Sequence, residues 1–474
     1  MRKITVLIQI IELFCLLFFY LIYKGNYNPQ VLAFLVFLGV VNILLFFYAR
    51  RVFRLSLQEK LISTVFVLGY IIVFFQKYVD LILGFCWSSS PLFFQSSLII
   101  KCCTMSVIGI VSFSIGYLTK NRKRFNVKDH QNQGLIKPIN TYYLRYILII
   151  STLIFAFFHF EQMFSNNSYS QERTMSEVGT MVQYSDVFFQ IFFILTAAYS
   201  INNSYYYKIR TFNEYLKIFG IGSFVCGLIY CIIMFFIGDR GPIIICVLVF
   251  VGSYYLSTGK RLHRSTFVIA IVVAAFSLTI IGGIRMMDKS QGIKGNSSVF
   301  LEEKSQEKSV SPFTSELANS VQTFHYSVAY VPDVYPYVYG AFIIRTLTSL
   351  VPFGDRILFS FWHPHFRFNS SAFFVTWLIQ GDTFTYGNGT SCNADLYLSF
   401  GLLGIILGLF LWGRFYNYLE LTMSIGIRSI PFGILYLFSL GYALYVSRAY
   451  FLCYTADCFF ALIINWLYRL LVNK

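Results

Sequence analysis

Apolar runs of about twenty residues, each long enough to cross a bilayer as a helix, recur from one end of this 474-residue chain to the other. Hydrophobic residues make up 57% of the chain and charged residues only 12%, far from the balance of a water-soluble domain. The pattern predicts an all-α, polytopic membrane protein forming a single integral domain over residues 1–474. About twelve transmembrane helices are expected, near 4–23, 30–49, 61–77, 97–118, 142–160, 184–201, 218–237, 242–257, 266–284, 397–413, 430–447 and 450–468. Many of the 35 tyrosines fall near the ends of these runs, where amphipathic rings settle at the membrane–water interface. Met1-Arg2-Lys3 followed by apolar residues looks like a signal peptide, but no small-residue cleavage site follows. The segment reads as a first span that stays.

The formal net charge of +16 invites a nucleic-acid partner. The basic residues, however, sit in short loops between spans, and no nucleic acid is expected. Their distribution gives an orientation instead, because lysine and arginine are retained on the cytoplasmic side of short loops. With the N-terminus cytoplasmic, 23 of the 37 basic residues fall inside, and eight of the remainder lie in one long segment where the rule has little force. The comparison elsewhere is 23 against 6, so both termini are expected in the cytoplasm. Acidic residues run the other way, with only Glu59, Asp129, Glu214 and Glu420 inside.

That long segment, 285–396, is the large extracytoplasmic loop between the ninth and tenth spans. It opens polar (KGNSSVFLEEKSQEKSVS) and then turns aromatic. AFIIRTLTSLVPF and SAFFVTWLIQG within it are apolar but short, which suits helices lying on the outer leaflet or dipping into it. The dense aromatic rings fit both sugar stacking and interfacial anchoring.

Charges are costly at membrane depth, so Gly238-Asp239-Arg240-Gly241, wedged between CIIMFFI and PIIICVLVF, needs a reason. A tight turn with its charges in the headgroups is the plain one. The orientation above also brings Arg240 level with Arg285, which closes the ninth span, and with Arg448 in the turn VSRAY. Arg345 and Arg356 in the loop add two more. A guanidinium donates two parallel hydrogen bonds to phosphate, so several converging on one place would hold a lipid-linked pyrophosphate. Each arginine could equally anchor a span end or pair with a nearby aspartate. Asp239 would orient Arg240 or cap the following span.

A second group, Tyr386 to Asp395, runs straight into the tenth span. Its Gly-, Asn- and Ser-rich backbone could bind anions or sugar hydroxyls, with Asn388 and Asn393 as polar contacts. Asp395 is a candidate general base toward a sugar hydroxyl, or simply a carboxylate at a helix N-terminus. His325 is a second candidate base, or a packed histidine. His363 and His365 resemble a metal pair without a third ligand, and no metal is expected. Glu12 in the first span is a proton-coupling group or faces the protein interior. The ten cysteines lie mostly inside apolar runs and read as buried thiols; Cys86 and Cys392, in outer loops, could pair. No nucleotide-binding or hydrolase motif occurs, so energy must come from an activated substrate or a gradient.

GDRGP at the start of a span, one large loop before the last three spans, and GNGTSCNADLYLSFGLLG closing that loop resemble the O-antigen polysaccharide polymerases of the Wzy type. YVYGAFIIRTLTSLVPFGDRI is similar to that family's stretch of glycine, aromatics and a proline. Where the family carries a glutamate near the loop-closing helix and then Asn-Phe-Gly, this chain has Asp395 and Ser399-Phe400-Gly401. The resemblance implies a glycosyltransferase of the bacterial plasma membrane, joining oligosaccharide repeat units carried on undecaprenyl pyrophosphate. The growing chain would pass from its carrier to the non-reducing end of a new unit, with no cofactor required. Its implied partners are the lipid-linked oligosaccharide, membrane lipids, and a chain-length regulator and flippase of the same pathway. Two rivals stay open: a ligase moving finished glycan onto an acceptor, and a flippase or transporter of the same units.

Overall fold

A computed structural model describes residues 2–23, 25–53, 60–119, 138–164, 177–263, 265, 308–351, 354, 357, 365–383, 386–424 and 429–472. Among them there is no strand. The first nine helices are α1 (Arg2–Ile22), α2 (Pro29–Ala49), α3 (Leu61–Ile82), α4 (Ile99–Thr119), α5 (Tyr142–Phe164), α6 (Glu177–Tyr207), α7 (Phe212–Phe219), α8 (Ile221–Ile237) and α9 (Arg240–Thr258). Four short ones with described bounds follow in the long loop: α10 (Ser315–Ala318), α11 (Val321–Tyr330), α12 (Ala341–Thr348) and α13 (Ser371–Gln380). The chain closes with α14 (Cys392–Ser424), α15 (Ile430–Tyr442) and α16 (Thr455–Val472).

Nine described helices are long and apolar enough to cross a membrane, or ten if α7 and α8 are one broken span. A helix stands at each expected position except 266–284, which lies outside the described residues. The expected count of twelve is not reached among them, since α15 has only 13 residues. α3 runs to Ile82 rather than stopping at 77, because its last polar residues, Gln76, Lys77 and Asp80, find partners in the loop. Cys86 and Cys392 are both free thiols.

α4 is the centre of the bundle, buried along nearly its whole length. Its closest neighbour is α14. A Cβ at position 116 would sit 2.0 Å from the Phe410 carbonyl oxygen, and one at 413 would sit 2.1 Å from that of Phe113. With lipid on the outside there is no hydrophobic gain from helix association, so close backbone packing over small residues has to supply it. Polar side chains then fix the register. At one end of the bundle the fully buried Glu420 of α14 accepts from the Ser63 N–H at 2.7 Å, from the Ser63 hydroxyl at 3.1 Å, and from the Tyr117 hydroxyl. Arg50, also buried, joins this node by donating to Ser63 at 3.0 Å and to Thr64 at 2.8 Å. Near the same end, Gln9 and Ser114 exchange hydrogen bonds, and Asn42 donates to Glu12. Glu12 thus faces other helices.

Two breaks shape the bundle. Gly220, at φ +94°, turns the chain by 87° between α7 and α8. α7 is an amphipathic helix with a Thr211–Glu214 capping box, and Arg145 donates to the Ile218 carbonyl at its far end. In α14 the helix is interrupted at Phe400 and Gly401, the latter at φ 63° and ψ −148°. Leu396 lies against both Gly404 and Gly408. In a straight helix twelve residues span about 18 Å, so the arm 392–399 must fold back beside the span that follows. Val338 of the loop donates to the Leu398 carbonyl at 2.9 Å, giving a carbonyl at the break a partner.

Widening either glycine contact should open the α4–α14 pair. Gly116→Val and Gly413→Val are each expected to lower stability by at least roughly 1–3 kcal/mol, read as a fall in unfolding temperature in detergent. Gly222→Ala, whose new methyl would meet nothing nearer than 3.9 Å, should leave it unchanged. Glu420→Ala strands the buried Ser63 and Tyr117 donors, at about 1–3 kcal/mol per unpaired group, and should be the most damaging of the set.

Candidate functional site

The turn from α8 to α9 is built by its own sequence. Gly238 takes the left-handed conformation at φ 88°, which only glycine adopts without penalty. There it donates to Met234 at 3.0 Å and Phe235 at 3.1 Å, and Asp239 N–H returns to Met234 at 3.1 Å. Asp239 is then the N-cap of α9, its carboxylate accepting from Gly241 N–H at 3.1 Å. Arg240 is therefore the first residue of α9, and Pro242 falls in the first turn, where its missing N–H costs nothing. A side chain at position 241 would press on the Tyr445 ring, 3.1 Å away. The glycine lets the turn approach Tyr445 and, through it, Arg448.

The opposite wall comes from the loop. Asp80, at the end of α3, accepts from the Ser309 hydroxyl at 2.7 Å and from Val310 N–H at 2.8 Å. Gln76 donates to the Ser311 carbonyl at 2.8 Å and accepts from Thr314 at 2.6 Å. Lys77 donates to Ser315 at 2.7 Å and lies 3.4 Å from Asp80. This latch fixes residues 309–315 on the end of α3 remote from Glu420. The next residue, Glu316, pairs with Arg240. Together these elements enclose a cleft of about 70 Å³, lined by Asp239, Arg240, Glu316, Tyr445, Arg448 and apolar residues of α3.

The electrostatics of the cleft are unequal. Arg240 is buried and has Glu316 as counter-ion. Arg448 is half-buried and has no hydrogen-bond or ion-pair partner among the described residues. The N-terminus of α9 adds partial positive charge, and the Asp239 carboxylate is spent on the cap. The cleft thus holds one unmatched guanidinium beside a paired one, an arrangement that attracts an oxyanion. Behind it lies a buried polar chain. Tyr230 and Gln190 donate to Asp186, the Tyr442 hydroxyl donates to Gln190 at 3.0 Å, and Asp457 sits beside Tyr442. None of these residues lines the cleft.

Of the residues expected to act, Arg240, Arg448 and Asp239 meet in this cleft. Arg285 and Arg356 lie outside the described residues, as does His363. Arg345, on α12, is half-buried and not part of the lining. Asp395 is buried in the folded-back arm, where it accepts from Phe451 N–H at 3.0 Å. Asn393 is buried too, donating to the Tyr70 hydroxyl at 2.9 Å, while the Asn388 N–H is held by Thr376 at 3.0 Å. His325 has no exposed surface; its Nε2 lies 2.9 Å from the Tyr78 hydroxyl, and burial pulls its pKa down to about 3. The imidazole is therefore neutral. His365 pairs with Asp382 at 3.1 Å. Among the described residues no cluster of His, Cys, Asp and Glu is placed to hold a metal ion. Glu316 and the Gln76–Lys77–Asp80 latch were not foreseen. The one local signal for the latch was three polar residues in the last turns of an otherwise apolar run. Glu316 had none.

A family model described as O-antigen polysaccharide polymerase Wzy matches residues 5–474. The match extends the likeness seen around the seventh to tenth spans to almost the entire chain. No curated protein and no solved structure matches significantly. With a polytopic helical bundle and a family match over nearly the whole length, the chain belongs to the O-antigen polysaccharide polymerase Wzy family.

Proposed function

We propose that this protein joins undecaprenyl-pyrophosphate-linked repeat units into a surface polysaccharide, with the Arg240–Arg448 cleft gripping the pyrophosphate of the growing chain. Membership of the Wzy family supports repeat-unit polymerisation in a membrane and weighs against the ligase and flippase readings. The observation that carries the site is Arg448, a half-buried guanidinium without a counter-ion among the described residues, in one cleft with Arg240.

In this reading the loop end of the bundle faces away from the cytoplasm, as the lysine and arginine bias argues. The donor's anomeric carbon sits at the mouth of the cleft. A hydroxyl at the non-reducing end of the incoming unit attacks it, and the carbon–oxygen bond to pyrophosphate breaks. Negative charge then builds on the leaving phosphate oxygens, where two guanidiniums and the N-terminus of α9 stabilise it. Arg345, Arg356 and Arg285 are proposed as further contacts to phosphate or glycan, and Asn388 and Asn393 as residues shaping the glycan side. Asp395 is proposed to act by holding the backbone of the turn after Arg448 through Phe451. A flippase supplying units and a chain-length regulator complete the expected partners.

Arg240→Ala and Arg448→Ala should each lower polymer formation by roughly 10²–10³-fold, the usual loss on removing one oxyanion donor, with the protein still inserted. Cells would then display glycan of single repeat units. Arg240→Lys should recover only part of the activity, because an ammonium cannot make the paired hydrogen bonds of a guanidinium. A normal glycan ladder from either alanine variant would sink the phosphate grip.

A further inference from the structure

We propose that Glu316 is the base that takes the proton from the attacking hydroxyl of the acceptor sugar, released for that task when the donor's phosphate occupies Arg240. The inference rests on the pyrophosphate reading of the cleft. Two carboxylates line the cleft among the described residues, Asp239 and Glu316. Asp239 is committed to the N-cap of α9. The Glu316 side chain keeps 34% of its surface exposed and stands on the loop wall, facing the arginines. Its backbone is fixed by the latch one residue before it, where Lys77 holds Ser315 at 2.7 Å. The latch therefore sets the point from which the side chain reaches into the cleft. Asp395 and His325 are buried away from the lining.

The pairing with Arg240 supplies the coupling. While the cleft is empty, the guanidinium holds Glu316 as a carboxylate and keeps it occupied. A phosphate binding the same guanidinium competes for those hydrogen bonds and brings negative charge close to the carboxylate, which raises its affinity for a proton. Among the described residues, the other charged or titratable groups lining the cleft with it are Asp239 from the α8–α9 turn and Arg448 and the Tyr445 phenol from the turn before α16, while Lys77 of α3 holds the residue before it. In the step itself the acceptor O–H bond breaks and its proton passes to a Glu316 oxygen. The acceptor oxygen bonds to the anomeric carbon, and the electron pair of the carbon–oxygen bond leaves with pyrophosphate. The proton returns to solvent when the carrier departs.

The test uses the full-length protein in proteoliposomes with a synthetic polyprenyl-pyrophosphate-linked repeat unit as both donor and acceptor. Glu316→Gln should keep the donor KM within about threefold and lose kcat by roughly 10²-fold or more, the scale of general-base catalysis. Wild-type kcat should rise with pH and level off, and that limb should vanish in Glu316→Gln. A Glu316→Gln kcat within about threefold of wild type, or a lower KM at unchanged kcat, would make Glu316 only a competitor for Arg240 and overturn the proposal. If the glutamine variant fails to insert, Glu316→Asp decides. It should lower kcat and move the pH limb, and an unmoved limb with unchanged kcat overturns the idea. Arg240→Ala is measured alongside. Wild-type KM and kcat in that variant would remove the phosphate grip itself, whereas an inactive Arg240→Ala beside a fully active Glu316→Gln would remove the base alone.

Discussion

Lipid offers a buried donor or acceptor nothing to bond with, so each polar group within the bilayer must find its partner in the protein. In this molecule two sets of such groups stand at the two ends of α3. At one end Ser63 and Glu420 tie α3 to α14, with Arg50, just after α2, and Tyr117 of α4 drawn in. At the other, Gln76, Lys77 and Asp80 capture the returning loop. α3 thus works as a strut between two polar nodes, and the cleft stands where the second node meets the α8–α9 turn. The apolar stretch between them contributes packing, and Gly69, Ile72 and Val73 of α3 line the cleft from that stretch.

The charge pattern of the cleft follows from that placement. An arginine at the first position of a helix sits against the positive end of the helix dipole, so Arg240 needs nearby anions. Asp239 caps the helix and Glu316 pairs with the guanidinium, yet Arg448 has no such compensation among the described residues. On the proposed function, a bound anion supplies it. A ligand with two or three negative charges changes the balance of the whole site. That is why the anion grip and the proposed proton acceptor are aspects of one electrostatic arrangement.

Much of this was legible in the sequence because it depends on local rules. Run length marked the helices. The glycines around Asp239-Arg240 marked a turn, and Gly238 does adopt the left-handed conformation such a turn requires. The charge bias placed Arg240 and Arg448 at one level, and the cleft joins them. What escaped depends on contacts distant in sequence. Glu316 lies 76 residues beyond Arg240, within a polar stretch where one more glutamate carries no signal. Asn393 read as a polar contact and Asp395 as a candidate base or a carboxylate at a helix N-terminus, both at the end of the outer loop. They are buried because the helix breaks at Phe400-Gly401 and folds the preceding arm back into the bundle. A glycine in an apolar run also fits a smooth helix, so that break could not be read locally. For His325 the sequence left a base and a packed histidine open, because the cage that decides it, Tyr78 and Phe93, comes from α3 and the segment before α4.

The right-angled break at Gly220 has a consequence for depth. α8 is left with 17 residues and α9 has 19, giving rods of about 26 and 28 Å, while the hydrocarbon core of a typical bilayer is about 30 Å thick. If the amphipathic α7 lies at one interface, a rod of that length brings the turn carrying Arg240 short of the other, so that the lipid would thin around it or its charges would sit a few ångströms below the headgroups. On the proposed function, the thickness of the surrounding membrane then becomes a working parameter of the protein, since it would set how far a carrier's phosphates must sink to reach the arginines.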